Sequence, residues 1–446
     1  MAAVIAAPVG ARALEYGWSG GGAGDTWSDA ANWTNGAAPG NVNTDTLFFF
    51  GSARLTNSVD VNHPWVLRTI TFTNLGGALL LTGNTLRFDN TGTMLDLRGG
   101  QHVTISNAIE VAGGRGTRTL SQNGSGGAVL TLAGPVSIEA GSSLWGRGGG
   151  TAVVSGPVSG AGALTRTDPG ITRLLNPTNS FTGYLGASHG VIEVATIGNA
   201  GAASHAGAGT YISLGQGTWG PSDTGTLRYT GASGSTDREI RMVSNVQTQL
   251  SSTLPFSGRP TLEVTNAAST LTFNGNFVYD GVSTLGMWRV TGAGNGVING
   301  DIRTRSARLE KTGSGTWTIN GGNSLTNLTE VKTGRLVVNG THTNAGSYVV
   351  SGAATLGGSG VIGLAEGAGV SILGGGILSP GASAGTLTIT NGGLSLAATS
   401  VLDFELSAAD TTVGGGVNDL LSLGGPLVLD GILNLWKPDV LVNCAA

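Results

Sequence analysis

The sequence predicts an all-β protein: a right-handed, single-stranded parallel β-helix (β-solenoid) with an N-terminal capping module. Three observations carry that expectation. Glycine supplies 79 of 446 residues and charged residues only 11%, against about 7% and about 25% in ordinary globular chains. Short runs rich in Thr, Val, Leu and Ile alternate with Gly, Asn, Ser and Asp turns. These runs recur with their surroundings at a spacing near 22 residues.

Taken in order, residues 1–13 (MAAVIAAPVGARA) read as the tail of a secretory signal, ending in the A-x-A-like Ala11-Arg12-Ala13. Residues 14–65 hold Trp18, Trp27, Trp33 and Trp65 and read as a cap. The open end of a stacked fold must be covered. Residues 66–436 read as the β-helix, with strands expected at Leu79–Thr82, Val129–Leu132, Thr261–Thr265, Leu271–Phe273, Arg335–Val338 and Thr386–Thr390. In the last of these, alternation puts Leu387 and Ile389 on one face and the threonines on the other. Residues 437–446 read as a tail. No stretch shows apolar residues at helical spacing, and no run of about 18 apolar residues could cross a membrane as a helix.

The repeats set the period. Gly-Pro-Val-Ser stands at 134–137 and again at 156–159. A longer unit pairs Leu164 with Leu309, Arg166-Thr167 with Lys311-Thr312, and Gly170 with Gly315. It goes on to pair Asn179-Ser180 with Asn323-Ser324, and Ile192 and Val194 with Leu336 and Val338. An even period of about 22 residues would give roughly 20 rungs. Glycine suits corners that need positive φ. Asparagine tolerates the same region and can ladder with its neighbour in the next rung. Low charge suits stacking, because like charges one above another repel.

The unit L-[EKTR]-[KR]-T-G-x-G-T, followed by N-[ST] and G-x-[LI]-x-V, is closely matched by residues 306–339, and by residues 160–195 with Asp168-Pro169 in place of Gly-x. Three further segments differ from that unit and add to the pattern: the strand pair in 225–240, Ile377–Leu387 with its Ser-Pro-Gly, and Val417–Leu427. At the front stand Trp27-Ser28 and Ala31-Asn32-Trp33. In this order they resemble the autotransporter-associated β-strand repeat of bacterial secreted and surface passenger proteins. The resemblance covers most of residues 16–436. It implies an extracellular or cell-surface passenger of a Gram-negative-type bacterium, usually without catalytic residues. Residues 340–446 continue the Gly-turn strands and lack the alternating strands and aromatic girdles of an outer-membrane barrel. The anchoring route therefore stays open.

Candidate chemistry is sparse. A net charge of −4 argues against nucleic acid as a partner. One cysteine, Cys444, excludes a disulfide framework and a Cys-based zinc site. The histidines His63, His102, His189, His205 and His342 show no metal-ligand spacing, so no metal and no cofactor is expected. Gly414–Asp419 comes near a calcium β-roll motif but occurs once. Four carboxylate pairs lie close in sequence: Asp25/Asp29, Asp89/Asp96, Asp237/Glu239 and Asp403/Glu405. The last two sit at i, i+2 in expected strands and could form dyads for polysaccharide cleavage. Phe404 as a core residue would leave Asp403 and Glu405 as outward neighbours, and Arg238 and Arg241 flank Glu239 as surface partners. Trp18, Trp27 and Trp33 could bind glycan or plug the helix end.

The reading is a monomeric rod with an adhesive or surface-matrix role, its partner a polysaccharide or a host or neighbouring cell surface. The competing readings are a polysaccharide lyase or hydrolase on the same fold, and a glycan-binding module built on the tryptophans.

Overall fold

A computed structural model describes residues 14–60, 64–114, 116–215, 224–243, 259–279, 287–303, 307–381, 384–407, 412, 417–437 and 440–444. Residues 1–13 and His63 lie outside them. The chain divides into two compact units, Met1–Gly183 and Tyr184–Ala446.

In the first unit, each strand pairs in parallel with a strand one turn later in the chain. One sheet runs Thr56–Val59, Leu79–Gly83, Val103–Ile105, Val129–Leu132, Thr151–Val154 and Ile171–Leu174. A second runs from Glu15–Trp18 to Ala163–Arg166, and a third from Trp65–Leu67 to Val158–Gly160. Three strands therefore make one rung of a β-solenoid. Period-2 alternation sends every second side chain inward, and register turns those side chains into columns. Leu81, Ile105, Leu132, Val154 and Leu174 stack in one column. All five are buried. The two Gly-Pro-Val-Ser copies stack directly, Val136 on Val158 and Ser137 on Ser159.

The second unit follows the same plan. One of its faces carries ten strands from Gly190–Val194 to Leu427–Leu429. The six strands expected from sequence all form, within a residue or two of their bounds, and Leu387 and Ile389 are buried. Among the described residues the one helical element is the 3-10 turn Ala30–Asn32. Among the described residues no helix is long and apolar enough to cross a membrane.

Three expectations need correction. The rungs are not evenly spaced. Val331 pairs with Val350, 19 residues on, whereas Val194 pairs with Tyr229 and Tyr229 with Val264, each 35 residues on. The long rungs hold more residues between strands that still pair in register, so there are fewer rungs than 20. The stretch expected as a tail contains a strand, Val440–Cys444, antiparallel to Ile432–Lys437. Lastly, positive φ is not the whole reason for glycine. At Gly156, a Cβ would lie 1.9 Å from the Gly134 carbonyl oxygen of the rung below. Corners of successive rungs approach too closely for any side chain. Asparagine does serve as the second left-handed residue, at Asn74, Asn344 and Asn391.

Charge is stacked with alternating sign. Glu193, Arg228 and Glu263 lie in register on one outer face, with Arg228 3.5 Å from Glu193 and 2.8 Å from Glu263. Glu310 is enclosed by Arg259 (3.2 Å), Arg289 (2.7 Å) and Lys332 (2.6 Å). Burial alone would raise its pKa; the hydrogen bonds from Lys332 and Arg289 hold it below the usual range.

Candidate functional site

The tryptophans are interior groups. Trp18, Trp27 and Trp33 are 1%, 0% and 2% exposed. Trp33 meets Trp18 and Trp27 edge-on at 5.1 and 5.7 Å, and Trp27 meets Trp65 at 5.4 Å. Trp18 stacks on Phe49, which packs on Phe72, each one rung apart. A sugar needs an open ring face, and these rings offer none, so the glycan-platform reading of Trp18, Trp27 and Trp33 is withdrawn.

The polar residues between them explain the motif. Asp29 caps the 3-10 turn. Asn32, fully buried, donates to the Gly24 and Thr26 carbonyls and accepts from Gly22 N–H, each at 2.9 Å. Trp27 Nε1–H donates to Asn57 Oδ1 at 2.8 Å. Trp27→Phe keeps a ring but orphans that amide oxygen. It is expected to cost about 1–3 kcal/mol, read as a fall in Tm with loss of near-ultraviolet circular dichroism. An unchanged Tm would contradict this account.

The carboxylate pairs do not form dyads. Asp25 pairs with Arg54 at 2.7 Å, while Asp29 accepts from Ala23 and Ala31 N–H. Asp89 pairs with Arg87 and Asp96 with Arg98. Asp237 accepts from Ala200 N–H at 2.7 Å, and Glu239 pairs with Arg241 at 2.6 Å. Arg238, expected beside Glu239 at the surface, is buried instead. Asp403 accepts from Trp436 Nε1. Glu405 N–H donates to Asp419, whose other oxygen takes Gly385 N–H. Phe404 is half-buried rather than core; Leu402 takes the inward place. Asp419, from the calcium-like segment, is thus occupied with backbone, and burial raises its carboxyl pKa.

Two surface groups were missed from sequence. Arg87 bonds Asp89 (2.8 Å), Glu110 (3.0 Å) and Glu139 (3.3 Å), bringing carboxylates from three rungs together on an outward face. Tyr184 stacks on Tyr211 at 5.4 Å, and the Arg241 guanidinium lies 3.8 Å over the Tyr211 ring. Only register reveals either set.

The buried polar groups hold rungs together. The cation of the repeat motif points inward in both copies. Arg166 donates to the Asp168 and Gly148 carbonyls and to Gln122 Oε1. Lys311 Nζ donates to the Thr312, Gly313 and Thr333 carbonyls at 2.8, 2.8 and 3.0 Å. Burial lowers their pKa values, to about 10 and about 8. Arg238 likewise donates to the Ala206 and Gly207 carbonyls. Each cation collects corner carbonyls that no ladder satisfies.

His342 sits in an inward column with Ile302, Asn323, Ile362 and Ile389. Asn323 Oδ1 accepts from Leu325 N–H, which aims its Nδ2–H at His342 Nε2, 2.6 Å away. The same Nδ2 lies 3.1 Å from His342 Nδ1, which also faces Tyr348 Oη. Burial pushes the imidazole pKa down to about 3 and the Tyr348 hydroxyl up.

These residues define a β-solenoid whose interior polar groups bind rung to rung and whose outer faces carry ion-pair ladders. The chain is 30% identical over 391 residues to the adhesin BmaC autotransporter of Brucella suis biovar 1 (strain 1330). The match takes in 82% of this chain and 9% of that protein, so the chain spans about a tenth of the length of its curated relative. No family model matches the chain, and no solved structure matches it.

Proposed function

We propose that the chain is part of a cell-surface, adhesin-like β-helical passenger that acts through its outer faces and without catalysis. The observation that carries this reading is the likeness to an autotransporter adhesin over 82% of the chain, in a fold that stacks one rung on the next. A stacked solenoid presents the same outward positions in every rung, which suits extended contact better than enclosure of a small substrate. The outward Tyr184–Tyr211–Arg241 stack, in which Tyr211 lies against Tyr184 and under the guanidinium, would meet a partner through ring edges and polar groups rather than through an open ring face. A polysaccharide or a glycan-coated cell is the partner class that such a surface suits.

The test incubates purified chain with cultured cells and a panel of acidic and neutral polysaccharides, scoring binding and product release separately. Binding without new reducing ends or unsaturated uronates is expected, and Tyr211→Ala should weaken it. Turnover of any polysaccharide would replace this reading with the enzymatic one, and the carboxylates around Arg87 would then be the place to look.

A further inference from the structure

One corner of the second unit carries a hydrogen-bonded file of asparagines. Asn299 Nδ2 donates to Asn274 Oδ1 at 2.8 Å, Asn320 to Asn299 at 2.8 Å, and Asn339 to Asn320 at 3.0 Å. Every member is followed by glycine: Gly275, Gly300, Gly321 and Gly340. The fold demands both residues. A Cβ on Gly300 would lie 2.1 Å from the Gly275 carbonyl oxygen, one on Gly321 2.2 Å from that of Gly300, and one on Gly340 2.0 Å from that of Gly321. The amides above them satisfy one another up the stack.

Asn-Gly is also the dipeptide whose backbone most readily attacks its own side chain, because glycine leaves the following nitrogen unhindered. In three members both reacting partners are engaged. The amide nitrogen is held by the preceding asparagine, and the glycine N–H is bonded to the rung below: Gly300 to Phe273 O (3.4 Å), Gly321 to Ile298 O (3.4 Å) and Gly340 to Ile319 O (3.1 Å). Asn274 is different. It begins the file and accepts from Asn299, but among the described residues its own Nδ2 donates to nothing, and Gly275 N–H has no acceptor.

We propose that Asn274 is a site of spontaneous backbone-directed modification, and that the ladder shields Asn299, Asn320 and Asn339 from the same reaction. The Gly275 nitrogen attacks Asn274 Cγ and a new C–N bond closes a succinimide. The Cγ–Nδ2 bond breaks, and the side-chain nitrogen leaves as ammonia with the proton given up by Gly275. Water then opens the ring at either carbonyl, giving aspartate or isoaspartate. Aspartate at 274 still accepts from Asn299, now as a charge-assisted bond, so the ladder survives. Isoaspartate adds a methylene to the main chain and disturbs the corner.

The experiment incubates the folded full chain at mildly alkaline pH and maps all four sites by mass spectrometry, with isoaspartyl methyltransferase labelling. The guanidine-unfolded chain gives the rate of each site without structure. Asn274 is expected to convert at least about fivefold faster than each of the other three, roughly the factor for one hydrogen bond that need not be broken. In Asn299→Ser, the Asn320 amide loses its acceptor, so its rate should rise towards that of Asn274 while Asn339 stays slow. Equal rates at all four sites in the folded wild type would overturn the proposal. So would an unchanged Asn320 rate in a folded Asn299→Ser variant.

Discussion

Replacing Arg166 with methionine is expected to cost about 3–5 kcal/mol and to loosen the rungs around it before the rest of the first unit. Methionine fills much of the volume but donates nothing. It leaves the Asp168 carbonyl, the Gly148 carbonyl and Gln122 Oε1 without the guanidinium that now bonds all three. A buried ion pair can be replaced as a whole by apolar residues at little cost. Here that escape is closed, because two of the three acceptors are backbone and cannot be mutated away. Denaturant unfolding should show the loss, and hydrogen exchange should place it in strands Gly116–Gln122, Ser142–Arg147 and Ala163–Arg166. Arg147→Met is the control. Arg147 is half-exposed and 3.6 Å from Asp168, so its loss should cost under about 1 kcal/mol. Similar small losses for the two variants would refute the structural role assigned to Arg166.

The second unit is expected to lose stability as pH falls below about 6.5, well before carboxylates titrate. His342 is held neutral in the fold, its pKa pushed down to about 3 by burial, while in the unfolded chain it titrates near 6.5. The sign follows from linkage. Between those values the unfolded state binds a proton that the folded state refuses, so acid favours unfolding. The contribution is intact above about pH 6.5 and is lost progressively towards pH 3, by about 2 kcal/mol on reaching pH 5. His342→Gln removes the titrating group, so its stability should be flatter between pH 7 and pH 5, though lower at pH 7. If wild type and variant show the same slope there, His342 is not the group responsible.

Much of the architecture was legible before any coordinates. Gly-Pro-Val-Ser at 134–137 and 156–159 announced that one rung lies on the next, and the two copies stack residue on residue. The alternation at 386–390 assigned Leu387 and Ile389 to the core. The Asn ladder was expected in kind. Local periodicity carries this information because inward and outward positions alternate with period 2 in every strand.

The candidate site was read less well. The aromatics singled out, Trp18, Trp27 and Trp33, are buried, whereas the outward Tyr184 and Tyr211 drew no notice. The repeat-motif cation was aligned correctly between Arg166 and Lys311, but alignment does not say that it points inward. Asp403 and Glu405 were set beside a core Phe404 that is in fact half-buried.

Strand, turn and repeat are thus written in the order of residues, because they depend on neighbours within a few positions. Which side chains meet depends on how many residues each rung takes, here from 19 to 37. Two or three extra residues in a corner loop leave every strand pattern unchanged, yet they decide which residue stands above which. Register alone put Asp89, Glu110 and Glu139 around Arg87, enclosed Glu310 in three cations, and set four Asn-Gly pairs in one file.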